Sequence, residues 1–223
     1  RACRWARAEC CRSTGGNSAD RGVCQRLSST HQFESSYTRD AMGDTKTWRA
    51  SATYVGALAH SIQKLGHAEL VRSRMDAASL EMFDAPNRQA WWPGRCVASV
   101  LNTLHEARGP ALVRDVSIDL SREQMGPLGR PLASVVLLFA KSPPVALFSR
   151  LQTFLSSGIH GVEVCFAQKH DGGSVAFIFP EPVPTSIAEA WHGVFDVAFS
   201  LARAGRVVGQ DIGSTVHRFE LQW

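Results

Sequence analysis

The sequence predicts an α+β fold, a helical first half followed by a β-β-α-β-β antiparallel sheet with one long packed helix. Three observations carry this. Apolar residues recur at helical spacing from Tyr54 to Leu155. Strict alternation takes over in Val162, Val164 and Phe166, and again in Val175, Phe177 and Phe179. Between two strand pairs stands one helical stripe, Ile187, Trp191, Val194, Phe195, Ala198 and Leu201. Helices segregated from antiparallel hairpins read as α+β.

The elements follow in order. Ser51 or Thr53 caps a helix from Tyr54 to Leu65, with Tyr54, Val55, Leu58 and Ile62 on one face, and Gly66 ends it. Asp76 caps a short helix through Leu80 and Phe83, stopped by Pro86. Trp91-Trp92-Pro93-Gly94 opens the next helix, with proline near its first turn. Val97, Val100, Leu101 and Leu104 are its buried stripe, and Gly109-Pro110 is the break. Leu112, Val113 and Val116 mark a further helix that fades near Gly126. Pro127, Gly129 and Pro131 punctuate the passage into Leu132–Lys141, apolar on nearly all sides and so read as a central helix. Ser142-Pro143-Pro144 starts a helix over Val145–Leu155.

Beyond this point the period is two. His170-Asp171-Gly172-Gly173 supplies a turn with residues tolerant of positive φ. Pro180, Pro182 and Pro184 end the second strand. Thr185 or Ser186 caps a long helix to about Ala204, and Gly205 closes it. Val207-Val208 and Val216–Trp223 form a second strand pair around Gly213-Ser214.

The chain divides at Met42. The 223 residues are 44% hydrophobic and 20% charged, an ordinary globular balance that excludes collagen-like, coiled-coil and wholly disordered chains. Residues 1–41 differ from the rest. They hold four of the six cysteines, seven arginines, no lysine and four acids, and lack apolar periodicity. Such a composition buries too little apolar surface to offset its ordering entropy. The expectation is a disordered arm, or upstream sequence translated before a true start at Met42, dispensable for folding in either case. Residues 42–223 then form a single α+β domain, helical over about 42–157 and β-β-α-β-β over about 158–223.

Pro143-Pro144, Phe148 and Leu151, then Gly161-Val162-Glu163-Val164, Gly173-Ser174-Val175, Pro182-Val183-Pro184, Trp191-His192-Gly193 and Trp223 form a recognisable series. With Trp91-Trp92-Pro93-Gly94 it resembles an uncharacterised protein family known from myxobacteria. That family is distantly similar to haem-nitric-oxide-binding and V4R-type ligand-binding domains. The resemblance covers some 180 residues and omits the arm. It implies a ligand-binding or protein-interaction module without known enzymatic activity.

The resemblance also raises haem, which needs an axial ligand beside an apolar pocket. His105 stands four residues after Leu101 and is the candidate imidazole. Haem-nitric-oxide-binding domains hold the propionates with a Tyr-x-Ser-x-Arg motif. Neither Tyr37 nor Tyr54 begins one, so the expectation is a protein without haem. No two histidines flank a carboxylate at helical spacing and no cysteine pair has zinc spacing, so no metal site is expected. There is no Gly-x-Ser-x-Gly elbow, and Gly126–Pro131 and Gly205, Gly209 and Gly213 match no phosphate-binding loop. Cys96 beside Arg95 at a helix start could hold a thiolate, but a small buried core residue is the stronger reading. The domain beyond the arm is near neutral, which gives no footprint for nucleic acid.

Trp92 at a helix mouth, with Arg95 as an anion partner one turn on, is one candidate pocket; Trp191 is a candidate for either core or ligand. No apolar run reaches the roughly 20 residues of a bilayer span. The expected protein is therefore a cytoplasmic, non-enzymatic small-molecule-binding or signalling module. The alternatives are a protein-interaction domain, including a homodimer, and then a haem-based gas sensor or an unrecognised enzyme.

Overall fold

The computed structural model describes residues 47–138 and 140–223, except the side chains of 127–136 and 138. The expected arm, and in the expected helix over Leu132–Lys141 the side chains of 132–136 and 138 and the whole of residue 139, lie outside the described residues.

β1 (Arg49–Ser51) leads directly into α1 (Ala52–Lys64). Ser51 is the cap: its hydroxyl accepts the Tyr54 N–H at 3.2 Å. Gly66, at φ 79°, ends the helix as expected. α2 (Ala68–Arg72) is a short helix the sequence did not suggest. Asp76 caps α3 (Ala77–Asp84), accepting the N–H groups of Ala78 and Ser79 at 3.0 Å each. The Ser79 backbone bond, more than its hydroxyl, holds the Asp76 carboxyl below its usual range. Pro86–Arg88 then forms one 3₁₀ turn.

Trp91–Pro93 corrects the expectation of a helix start. It is a strand, β2, and the helix α4 begins one residue later and spans Gly94–Arg108. β2 pairs antiparallel with β1, Ala50 opposite Trp92. On its other side β1 pairs with β3 (Ile159–His160), so three short segments far apart in sequence form one small sheet in the helical half. Gly94 is required there. A Cβ on it would lie 2.0 Å from the Trp48 indole, and its N–H donates to the Trp48 carbonyl at 2.8 Å.

α5 runs over Pro110–Leu138 with a break in its dihedrals at Gly126 (φ 61°, ψ −179°), where the sequence predicted fading. The single helix expected over Val145–Leu155 is two, α6 (Pro143–Phe148) and α7 (Leu151–Ser156). Each is a turn or two long, and Ser149-Arg150 separates them with neither glycine nor proline to announce the break.

The second half matches the predicted order. β4 (Glu163–Lys169) and β5 (Gly172–Ile178) form the first hairpin, α8 (Ser186–Ala202) follows, and β6 (Arg206–Ile212) and β7 (Val216–Gln222) form the second. All neighbours are antiparallel in the order β4-β5-β7-β6. A bulge between Val207 and Gly209 shifts the outer strand. Val175, Phe177, Phe219 and Leu221 face inward and are buried.

α8 lies on this floor. Trp191 stacks on Phe177 with ring centroids 3.9 Å apart, and Phe195 meets Phe219 edge-on at 5.0 Å. Its other side meets α5 at Gly193, where a Cβ would stand 2.5 Å from the Arg114 carbonyl oxygen and 2.8 Å from Ser117 Cβ. Only a glycine lets the two helices approach so closely. The Arg114–Glu189 ion pair, 2.7 Å, closes the outer edge of that contact. The buried residues of both halves form one core. No described helix is long and apolar enough to cross a membrane.

His217 is fully buried beside Phe179, ring centroids 5.3 Å apart. Burial pushes its imidazole below the ordinary histidine range, the Gly213 backbone offsetting this in part, so the ring stays neutral in the core.

Trp191 is 6% exposed and packed on the sheet. Trp191→Ala is expected to cost about 3–5 kcal/mol and to lower the urea midpoint sharply. His192 is half-buried, bonds Gln210 at 2.5 Å and meets Phe219 edge-on. His192→Ala is expected to cost about 1 kcal/mol. An unchanged midpoint for Trp191→Ala in urea titration would show that the α8–sheet contact is misassigned.

Candidate functional site

The helices that pack around α8 do not fill all the space beside it. They enclose a cavity of about 610 Å³ with apolar walls. Each wall is a stripe at helical spacing. α8 contributes Ile187, Ala190, Trp191, Val194, Ala198 and Leu201. α5 contributes Ser117, Leu120, Ser121 and Gln124, and α4 contributes Val97 and Leu101. Leu147 and Phe148 come from α6, and Leu151, Phe154 and Leu155 from α7. Trp48 and Phe179, edge-on at 5.9 Å, close the inner end.

The volume has a physical origin. Along α8 the large rings of Trp191 and Phe195 pack against the sheet, while Ala190 and Ala198 on the cavity wall have only a methyl group to offer. Volumes of roughly 300–1,000 Å³ are typical of small-molecule sites.

One side opens to solvent. Thr53, Gln124, Phe154 and Ser157 all line the cavity and are exposed, which places the mouth between the start of α1, the middle of α5 and α7. Phe154, at this mouth, is 58% exposed.

The described walls carry no charge. Every described lining residue is apolar, a hydroxyl residue, Gln124 or Met125. Burial pushes the Tyr54 phenol up to about 12, so it remains a neutral hydroxyl. The neighbouring charges are engaged outside the cavity. Lys64 bonds Asp119 at 2.8 Å and Glu123 at 3.1 Å.

Of the four residues singled out from the sequence, only Trp191 lines the cavity. Trp92 is a core residue whose indole N–H donates to the Pro86 carbonyl at 2.7 Å. Arg95 points into solvent on the first turn of α4, and His105 is half-buried on its last turn. Neither borders the cavity, so the expected Trp92–Arg95 pocket is not assembled. Cys96 is buried in the core, and burial, opposed by the nearby Ser79 and Arg95, raises its thiol above the ordinary range. That is an inert core thiol.

The haem implied by the resemblance can be tested against these walls. Iron in a haem pocket takes an imidazole, a thiolate, a thioether or a phenolate, and its propionates want cations. The described lining offers no histidine, cysteine, lysine or arginine. Tyr54 and Met125 are what the described lining offers in place of an imidazole or thiolate, and no cation stands among the described lining residues to take the propionates. The donor set does not fit haem. Among the described residues no three His, Cys, Asp or Glu side chains are grouped to hold a metal ion.

No family model and no curated protein matches the chain. The solved structures that match include H-NOX domains. A doubly substituted Tt H-NOX aligns with a TM-score of 0.49 at 13% identity, over 78% of this chain and 94% of that one. A substituted T. tengcongensis H-NOX gives 0.48 at 13% identity, over 77% and 94%. An oxygen-binding H-NOX domain related to soluble guanylate cyclases, in its oxygen complex, gives 0.47 at 12% identity, over 77% and 92%. At this distance the cavity's own residues carry the functional reading.

The purified protein is expected to lack a Soret band, and added haemin to give only the broad spectrum of unligated, nonspecifically held haem. A sharp Soret band that disappears in His105→Ala would contradict the donor analysis and make His105 an axial ligand.

Proposed function

We propose that the domain is a non-enzymatic module that binds a small apolar molecule in the cavity beside α8. The observation that carries this reading is a chamber of about 610 Å³ with a solvent-facing mouth, whose described lining is uncharged and largely apolar. A folded chain closes such space with side chains unless something else fills it, because an empty apolar void forfeits contact energy on all its walls. The mouth accounts for the exposed Phe154, whose ring borders the entrance. The free thiol of Cys96 suits a reducing compartment, and a cytoplasmic location is part of the proposal.

Binding would bear on the fold as well as on the ligand. The ligand would touch α8 and α5 on the faces beside their mutual contact, and occupancy would be felt where Gly193 meets Arg114 and Ser117. This is the physical basis for a sensing or signalling role: a ligand shifts an equilibrium only through contacts that differ between the states.

Nile red, an uncharged dye whose emission rises and shifts blue in apolar surroundings, tests the reading. The parent protein is expected to bind one dye per chain. Ala198→Phe places a ring inside the cavity and is expected to weaken binding about tenfold or more, or by roughly 1.4 kcal/mol, without lowering the urea midpoint. Absence of a dye response in the parent, or an equal response in Ala198→Phe, would overturn the proposal.

A further inference from the structure

We infer that the molecule held in this cavity is an uncharged amphiphile, apolar for most of its length, with one hydrogen-bonding end at the mouth. The inference rests on the cavity reading above and concerns the ligand's chemistry.

The first argument is the distribution of polarity. The inner end is formed by Trp48, Val97, Leu101, Phe179, Ile187 and Trp191, all buried. The exposed polar residues of the lining are Thr53, Gln124 and Ser157, and all three belong to the mouth. A ligand with matched polarity therefore enters with its apolar part first.

The second argument is which donors remain at the mouth. The Ser157 hydroxyl donates to the Phe154 carbonyl at 2.9 Å, and the Ser121 hydroxyl donates to the Ser117 carbonyl at 2.7 Å. Their protons are engaged, and only their acceptor lone pairs are left. Among the described residues, the Gln124 amide and the Thr53 hydroxyl make no side-chain hydrogen bond to protein. The mouth therefore offers an amide, with donors and an acceptor, beside a hydroxyl. This set suits an alcohol, an amide or an ester.

The third argument is charge. No described lining residue can pair with an ion. Lys64, the cation at the end of α1, is shared between two carboxylates, Asp119 and Glu123. A carboxylate or ammonium head drawn into the mouth would lose water without gaining a counter-ion, a costly exchange. The volume sets the size. At roughly 30 Å³ per non-hydrogen atom, the space suits about 20 of them.

Displacement of Nile red separates the possibilities. Decanol, decanamide, decanoate and decylamine share one chain and differ in the head; at pH 8 the last two are ionised. Decanol and decanamide are expected to displace the dye at concentrations about tenfold lower than either ion. Gln124→Lys puts a cation at the exposed mouth without touching the core. It takes the amide partner from the alcohol and gives decanoate a counter-ion, so it is expected to raise the affinity for decanoate about tenfold relative to that for decanol. Decanoate or decylamine matching decanol in the parent, or no gain for decanoate relative to decanol in Gln124→Lys, would overturn the inference while dye binding itself left the cavity reading standing. Failure of the parent to take up Nile red would remove both.

Discussion

At Gly193 two helix backbones come close enough that a single methyl group would collide with the Arg114 carbonyl. That contact sets the distance between α5 and α8. The opposite side of α8 is set by the Trp191–Phe177 stack and by Phe195 on Phe219. With the helix held from both sides, its remaining face can neither advance to fill the adjoining space nor retreat from it. Ala190 and Ala198 lie on that face, and the cavity is what their small side chains leave open. Trp191 belongs to both environments: its ring rests on the sheet and also borders the cavity. Core and site are thus built from one helix, and its position is the constraint on which the remainder depends.

Charge follows the same division. The ion pairs that join helices, Lys64 with Asp119 and Glu123 and Arg114 with Glu189, sit outside the cavity. Inside, hydroxyls are capping or bonding their own helices, as Ser51 does for Tyr54 and Ser121 for Ser117. Exposed ion pairs contribute little stability; here they also leave no unpaired charge on the described walls. The interior is suited to recognition by shape and by apolar contact, with direction supplied at the mouth. It is poorly suited to proton transfer or ion capture, which need a titrating or charged group facing the ligand.

Local signals in the sequence were read well. Ser51 and Asp76 cap the helices that follow them, because a short side-chain acceptor before an apolar stripe has few other uses. The hairpin turn at His170–Gly173 and the β-β-α-β-β order were visible for the same reason: alternation and turn chemistry are properties of neighbouring residues. The three-stranded sheet was not visible. Its strands have two or three residues each and pair across 40 to 44 positions on one side of β1 and 109 to 111 on the other, and Trp91-Trp92-Pro93 reads equally well as a helix entrance. The site was visible in its parts but not in its nature. Ile187, Trp191, Val194, Ala198 and Leu201 were identified as one stripe, and a stripe facing a void has the same spacing as one facing a core. Trp92 and Arg95 have the chemical character of a pocket, but the Pro86 carbonyl takes the indole N–H and α4 turns the arginine to solvent.

The central claim is that the chamber beside α8 accepts one uncharged, mainly apolar molecule. Native mass spectrometry measures this directly, because it counts bound molecules and chains together. With hexadecanol, whose length suits the volume, in excess, the account predicts a single adduct of one hexadecanol per chain that saturates at that ratio. Only the bare chain at every concentration, or a ladder of adducts growing without a plateau, would contradict it.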